Sequence, residues 1–499
     1  MVFGFITGVL KMNWNFQTTY TNLPPSFFSH TLATPVKEPT LLVLNQALMH
    51  ELGLGDYDAK ADLPVLAGNT PPVGAKPFAQ AYSGHQFGHF TNLGDGRALV
   101  LGEHLTTQGD RFDVQLKGSG QTPYSRRGDG RAALGPMLRE YLMSEAMYAL
   151  GVPTTRSLSV VSTGEPVFRE DILQGAVLTR VALSHIRVGT FEYAAQINQV
   201  PALLDYTINR HYPELLKSAN PYEDFLKTVC DKQARLIAQW MCIGFIHGVM
   251  NTDNMLVSGE TIDYGPCAFM DRYDPNTVFS SIDRNGRYAY GKQAAIGEWN
   301  LKCLAETMLS LCKDVQTLDE QTLTQYTLTK EHLISAIQGY GPKFEAYWIK
   351  GMGNKFGIQN ATTADVSLMM QFLNLLQKYR ADYTFAFRSL SDDFLKIKVK
   401  TLWDAPEFND WQKQWINRLS VNAVSLEFAK GEMKKINPIK IPRNYWVEES
   451  LASAQSGQLE LFMDLVESLK NPYVLKQGEE KFLEFPQDYQ NHYRTFCGT

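Results

Sequence analysis

Four side chains capable of chemistry stand close together in one stretch of the sequence: His247, Asp253, Asn254 and Asp263. The run HisGlyValMetAsnThrAspAsn ends at Asn254 and is followed by MetLeuValSerGlyGluThrIle, then by AspTyrGly at 263–265. The oxygens of Asn254 and Asp263 suit a hard divalent cation. Asp253, beside the asparagine, is a candidate proton acceptor. Upstream, Lys117, Arg126, Arg127, Arg131 and Arg139 gather in residues 116–139 against the single acid Asp129, in a chain whose net charge is −5. Glycines 118, 120, 128 and 130 interleave with them, so the backbone can approach an anion and turn N–H groups toward it. Gly94, Gly96 and Arg97 make a second turn of this kind, because GDGRA occurs at both 94–98 and 128–132. Arg180 and Arg187 add planar forks suited to phosphate oxygens. Taken singly, each feature also reads as a solvated basic loop or a turn that caps its own backbone; the joint spacing favours a phosphate and metal site.

The spacing of His247, Asn254 and Asp263 matches the order of a protein kinase, H-R-D-x-x-x-x-N, then a hairpin, then D-F-G. Lys117, at the end of an alternating strand pattern, and Glu140, on the helix that follows, stand where a kinase keeps its lysine–glutamate pair. Alone, Glu140 also reads as a surface partner on an exposed helix face. Val249 occupies the place of the kinase catalytic aspartate and cannot accept a proton. Two explanations fit: a decayed kinase that still binds nucleotide, or an enzyme that holds ATP differently and attacks another phosphorus, with Asp253 as the displaced base.

The elements that must position these residues follow from periodicity. Glycine-rich turns alternate with strand-like runs from Tyr82 to Thr190, as in ArgAlaLeuValLeuGly from Arg97 and PheAspValGlnLeuLys from Phe112. One helix interrupts them, from about Pro136 to Leu150, with proline in its first turn and Gly151 and Pro153 beyond its end. Helical spacing recurs near 232–247, 300–312, 364–378, 408–430 and 449–470, and a short amphipathic piece covers 41–52. The expected fold is α+β, a bilobal protein-kinase-like fold with a sheet-rich N-lobe and an extended helical C-lobe. Its expected divisions are an N-terminal extension at 1–80, a phosphate-binding N-lobe at 81–190, and a C-lobe at 191–499 with the catalytic loop, metal site and a helical extension.

Five longer runs carry a resemblance: TyrSerGlyHisGlnPheGlyHisPhe from Tyr82, LeuGlyAspGlyArgAla from Leu93, LeuLysGlySerGlyGlnThrProTyrSerArgArgGlyAspGlyArgAla from Leu116, HisGlyValMetAsnThrAspAsnMet from His247, and IleAspTyrGlyPro from Ile262. From Tyr82 to about Asp274 the chain resembles the selenoprotein O family of kinase-like AMP transferases, with a weaker echo at the C-terminal CysGlyThr. The resemblance implies ATP bound in reverse, its α-phosphate exposed to an incoming hydroxyl, so that AMP is transferred and pyrophosphate leaves. It implies nucleotide contacts at Gly94, Gly96, Arg97, Lys117, Asp129, Gly130, Arg180, Arg187 and Asp263, with Glu140 supporting Lys117. It implies metal ligands at Asn254 and Asp263, for Mg²⁺ or Mn²⁺, and a proton acceptor at Asp253. UTP is a second donor within the family, and the acceptors are Ser, Thr or Tyr hydroxyls of client proteins. Cys497 stands where selenium-containing members carry selenocysteine; a free tail thiol is the expectation, and a redox pairing the rival reading. The kinase using the γ-phosphate and the silent nucleotide-binding scaffold are the alternatives.

The whole-chain numbers agree with an enzyme of this size. At 499 residues, 44% hydrophobic and 20% charged, the chain can bury a large core. Its net charge gives no bulk attraction to nucleic acid or to an anionic membrane. The six cysteines are scattered without a C-x-x-C pair, which fits a reducing compartment. The opening MVFGFITGVL lacks a basic flank and makes a poor signal peptide. No later stretch reaches the ~20 apolar residues of a membrane span. A cytoplasmic protein with no nucleic-acid or membrane partner is the expectation.

Overall fold

The computed structural model describes residues 11–312, 328–421 and 424–496. The opening apolar segment and Cys497, with its redox reading, lie outside the described residues. Strands come first: β1 (Phe28–His30), β2 (Thr40–Leu44), β3 (Phe78–Gln80), β4 (Ser83–Gln86), β5 (His89–Asn92), β6 (Ala98–Leu105), β7 (Arg111–Lys117), β8 (Ala132–Ala133), β9 (Arg156–Phe168) and β10 (Ile172–Ala182). The main sheet runs β1-β3-β6-β7-β10-β9-β2, with β8 added against β10 and every pair antiparallel. Strands β4 and β5 form a separate hairpin. Residues before 81 thus contribute β1, β2 and β3 to the sheet. The amphipathic piece at 41–52 divides into part of β2 and the helix Gln46–Glu51, whose first turn is capped by the Asn45 side chain.

Alternation along β7 decides what the sheet presents on each face. Val114 and Leu116 pack with Leu99, Leu101 and Val177, and with Val65 from the helix Ala59–Leu66. Gln115 and Lys117 therefore point to the opposite face. In register, Lys117 lies opposite Leu178 and Gln115 opposite Arg180, so Lys117, Gln115 and Arg180 share that face. The helix Leu134–Ala149 packs there through Met137, Leu138, Tyr141 and Leu142, against Val160 and Leu178. This packing brings Glu140 over Lys117.

The rest of the chain is mainly helical. The long helix Pro221–Ile243 has proline at its first turn, an Asn220 side-chain cap, and Gly244 at its end. It stops short of His247, because Phe245–Ile246 (β11) pairs with Ala268–Phe269 (β12). The expected helices at 408–430 and 449–470 each divide in two, as Pro406–Val421 with Leu426–Ile436 and Asn444–Gln455 with Glu460–Leu469. The expected hairpin after Asn254 does not close on itself. Leu256 instead bridges Arg187 and Thr261 bridges Thr154, while a turn survives where Gly259 donates to the Leu256 carbonyl (3.1 Å). Among the described residues, no helix is long and apolar enough to cross a membrane.

Candidate active site

A cleft of about 1240 Å³ opens between the sheet and the helical part of the chain. Gly94, Gly96, Arg97, Lys117, Asp129, Gly130, Glu140, Arg180, Arg187, Asp253, Asn254 and Asp263 all line it. Residues far apart in sequence meet there because Lys117 on β7 and Arg180 on β10, neighbours on one face of the sheet, both reach Asp263.

Its centre is a buried ion network. The Lys117 Nζ donates to Glu140 Oε2 (2.6 Å) and to Asp263 Oδ1 (2.7 Å). Arg180 Nη1 repeats the pattern, at 2.9 Å from Glu140 Oε1 and 2.8 Å from Asp263 Oδ1. Gln115 Oε1 takes the remaining reach of Arg180, from Nε (3.2 Å) and Nη2 (2.6 Å). Glu140 thus holds two cations side by side. Burial alone would raise the Asp263 carboxyl, but Lys117, Arg180 and Arg187 together hold it well below the usual carboxylate range. Asp263 adopts a left-handed backbone, φ 62°, which is costly for a non-glycine residue and marks a position fixed by its surroundings. Arg187 is buried over the Tyr82 ring, 4.4 Å from its centre, with Asp95 Oδ1 at 3.9 Å. Its Nε is buried without a partner among the described residues.

Across the cleft, Asp253 is buried on the short turn Thr252–Asn254. Gln86 Nε2 donates to its Oδ2 (3.3 Å), and its Oδ1 is buried with no partner among the described residues. Burial pushes this carboxyl up to about 6, against the pull of the Gln86 hydrogen bond and Arg187. An acid tuned there is ionised at neutral pH yet basic enough to take a proton. Asn254 Nδ2 donates to the Val249 carbonyl (2.9 Å), which leaves its Oδ1 as an acceptor. Val249 itself lines the cleft. His247 is buried at the base of the loop, with Nε2 against the Ile262 carbonyl (2.9 Å), and ties the loop to the strand-like segment before Asp263.

The basic segment 116–139 reads differently in space. Arg139 lines the cleft but its donors are taken up by the protein: its Nε donates to the Gly265 carbonyl (3.1 Å), its Nη1 to Glu448 Oε1 (2.9 Å) and its Nη2 to the Cys267 carbonyl (2.6 Å), so it braces the segment after Asp263. Arg131 donates to the carbonyls of Thr34 (3.0 Å) and Pro35 (3.1 Å). Arg126 and Arg127 are exposed on the rim. Asp129 is held by Arg169, at 2.9 and 3.0 Å, and accepts from the Arg131 N–H (2.9 Å). Sequence reasoning passed over Tyr82, Gln86, Asp95, Gln115 and Arg169. Tyr82 and Gln86 stood in a quoted motif, Asp95 inside the first GDGRA, and Gln115 two places before Lys117 in the same alternation.

The donor set facing the cleft fits a divalent cation. Asp263 Oδ2 and Asn254 Oδ1 have no donor among the described residues, and hard oxygens of this kind suit Mg²⁺ or Mn²⁺.

Comparison with known proteins agrees over nearly the full length. A family model described as protein adenylyltransferase SelO matches residues 10–470. The protein nucleotidyltransferase YdiU of Bacillus mycoides (strain KBAB4) is 50% identical over 500 residues, covering 99% of this chain and 100% of the relative. That of Geobacillus kaustophilus (strain HTA426) is 51% identical over 496 residues, covering 98% and 100%. A match that takes in the twelve cleft residues named above, with half the residues shared along two nucleotidyltransferases, means that this chain belongs to the SelO family of protein adenylyltransferases.

Proposed function

We propose that this chain transfers AMP from ATP to Ser, Thr or Tyr hydroxyls of client proteins, in a bilobal, protein-kinase-like cleft. Residues 81–190 form the sheet-rich lobe, 191–499 the helical lobe, and 1–80 an extension whose strands widen the sheet. The observation that carries the reading is the placing of two groups on opposite sides of the cleft. Asp253 has a buried carboxylate oxygen with no partner among the described residues, and the cations Lys117, Arg180 and Arg187, held by Glu140, Asp263 and Asp95, stand across from it.

In this reading the cations grip the outer phosphates, with Arg97 and the backbone at Gly94, Gly96 and Gly130 completing the cradle and Asp129 bordering it. The α-phosphorus then faces Asp253. The client hydroxyl gives its proton to Asp253, its oxygen bonds to the α-phosphorus, and the bond from that phosphorus to the bridging oxygen breaks. Pyrophosphate departs with the bonding electrons. Asn254 and Asp263 would hold Mg²⁺ or Mn²⁺, which supplies positive charge to the triphosphate. A general base contributes ~10²–10⁴-fold, and positioning and electrostatics the remainder. Val249 in place of the kinase acid supports attack away from the γ-phosphorus.

Labelled ATP tests this with client proteins from a cell extract. Label from the α-phosphate is expected on protein, and UTP labelled at the same position tests the second donor. Label retained only from the γ-phosphate would instead identify a kinase, and none from either a silent scaffold.

A further inference from the structure

Beyond Tyr82 under Arg187 and Gln86 on Asp253, the run Tyr82–Phe90 has no role in the chemistry above, yet it lies along the loop that carries Asp253. Strand β4 of its hairpin covers Asn251, Thr252 and Asp253. The Phe87 N–H donates to Asn251 Oδ1 (3.1 Å), the His85 N–H to Thr252 Oγ1 (2.7 Å), and Gln86 Nε2 to Asp253 Oδ2 (3.3 Å). Contact is closest where side chains are missing. A Cβ on Gly84 would lie 2.4 Å from Asp253 Oδ1, and one on Gly189 would lie 2.0 Å from the Ser83 carbonyl and 3.2 Å from the Asp253 Cα. Asp253 is thus held between two glycines of different elements.

Behind this contact lies a second group that the reaction does not use. Glu192, on the helix Val188–Gln196, is buried and accepts at both oxygens: from Thr252 Oγ1 at Oε2 (2.5 Å), and from His85 Nδ1 at Oε1 (2.5 Å). The His85 ring is fixed edge-on by Phe90 and Trp299. Thr252 therefore accepts from one backbone N–H and donates to one carboxylate, so its hydroxyl has a single orientation. It is the immediate neighbour of Asp253.

We infer that Glu192, His85 and Thr252 are positioning residues, which lock the turn before Asp253 and so fix where its carboxylate sits at the cleft wall. The inference rests on the reading of Asp253 as the proton acceptor. Glu192 and His85 touch neither nucleotide nor acceptor in this account; they act through Thr252.

The test compares Thr252→Val, Thr252→Ser and Glu192→Gln with wild type and Asp253→Asn. Full-length protein is assayed for AMP transfer and for binding of a non-hydrolysable ATP analogue. Valine keeps the shape of threonine but loses both hydrogen bonds, whereas serine keeps both. Thr252→Val is expected to lower kcat by roughly 10²-fold, the cost of a small misplacement, with KM for ATP and analogue affinity unchanged. Thr252→Ser is expected to restore most of kcat, which a general packing role for the methyl group does not predict. Glu192→Gln can no longer accept at both atoms and is expected to fall in the same direction; it carries the test if Thr252→Val does not fold. Wild-type kcat in Thr252→Val or Glu192→Gln, beside an inactive Asp253→Asn, overturns the positioning role alone, as does an equal loss in the serine and valine variants. Full activity in Asp253→Asn overturns the proton-acceptor reading instead.

Discussion

Asp253 carries a cost in the folded state that the proposed role of proton acceptor requires. Burial raises its carboxyl from the ordinary 3.8 to about 6, so folding favours the protonated form. The stabilising contribution of that proton is fully present below pH 3.8 and is lost as pH rises through about 6. At neutral pH the ionised group is a burden on the order of 1–3 kcal/mol. Asp253→Asn is therefore expected to raise the melting temperature at pH 7.5 and to have no such effect at pH 4, while lowering AMP transfer by ~10²–10⁴-fold. A lower melting temperature at pH 7.5 would argue against a strained, ionised Asp253. In wild type, kcat/KM is expected to fall on the acid side with a midpoint at about 6, as Asp253 of the free enzyme becomes protonated. A flat profile from pH 5 to pH 8 would remove Asp253 from the proton transfer.

At the scale of elements, Glu140 links the helix Leu134–Ala149 to two strands by holding Lys117 from β7 and Arg180 from β10. Removing one member of a buried ionic group leaves its partners uncompensated, which costs ~3–5 kcal/mol. Glu140→Ala is expected to lose stability of that order in urea unfolding and to weaken ATP-analogue binding; unchanged values for both would show that Asp263 alone suffices to hold the cations. The Lys117–Glu140 pair was legible in the sequence, because strand alternation and helical spacing fix which way each side chain points. Asp253, Asn254 and Asp263 were legible by their spacing, and the cleft does collect them. Arg131 and Arg139 were not, since a count of charges does not reveal that their guanidinium groups turn to backbone carbonyls. Nor was the third claim on Asp263, by Arg180, which depends on the register of β10 against β7. The strands before residue 81 escaped notice because they are short, and β2 runs directly into a helix that shares its apolar residues.

At the scale of the whole molecule, the C-terminal segment reaches back to the cleft. Tyr493 is buried and its hydroxyl meets Arg139 (3.1 Å) and Glu448 (2.7 Å), while Thr495 Oγ1 donates to the Pro266 carbonyl (2.7 Å). The Thr495 N–H donates to the Phe279 carbonyl (2.9 Å) and its own carbonyl accepts from Ser281 (3.0 Å). Arg139 and Pro266 flank the segment after Asp263, so the tail supports the Asp263 loop from outside. A chain ending at Asp488 is expected to lose roughly 2–4 kcal/mol of stability, from unburied Tyr493 and the missing hydrogen bonds, and to transfer AMP more slowly. Full stability and full activity in that chain would remove the tail from the support of the site. Transfer of AMP rather than of the terminal phosphate depends on which way the triphosphate lies between the cations and the loop. A crystal structure of the full-length protein with a non-hydrolysable ATP analogue and Mg²⁺ tests this directly. The terminal phosphate is expected against Lys117, Arg180 and Arg187, with the α-phosphorus facing Asp253; a terminal phosphate beside Asp253, in the orientation of an ordinary kinase, would contradict it.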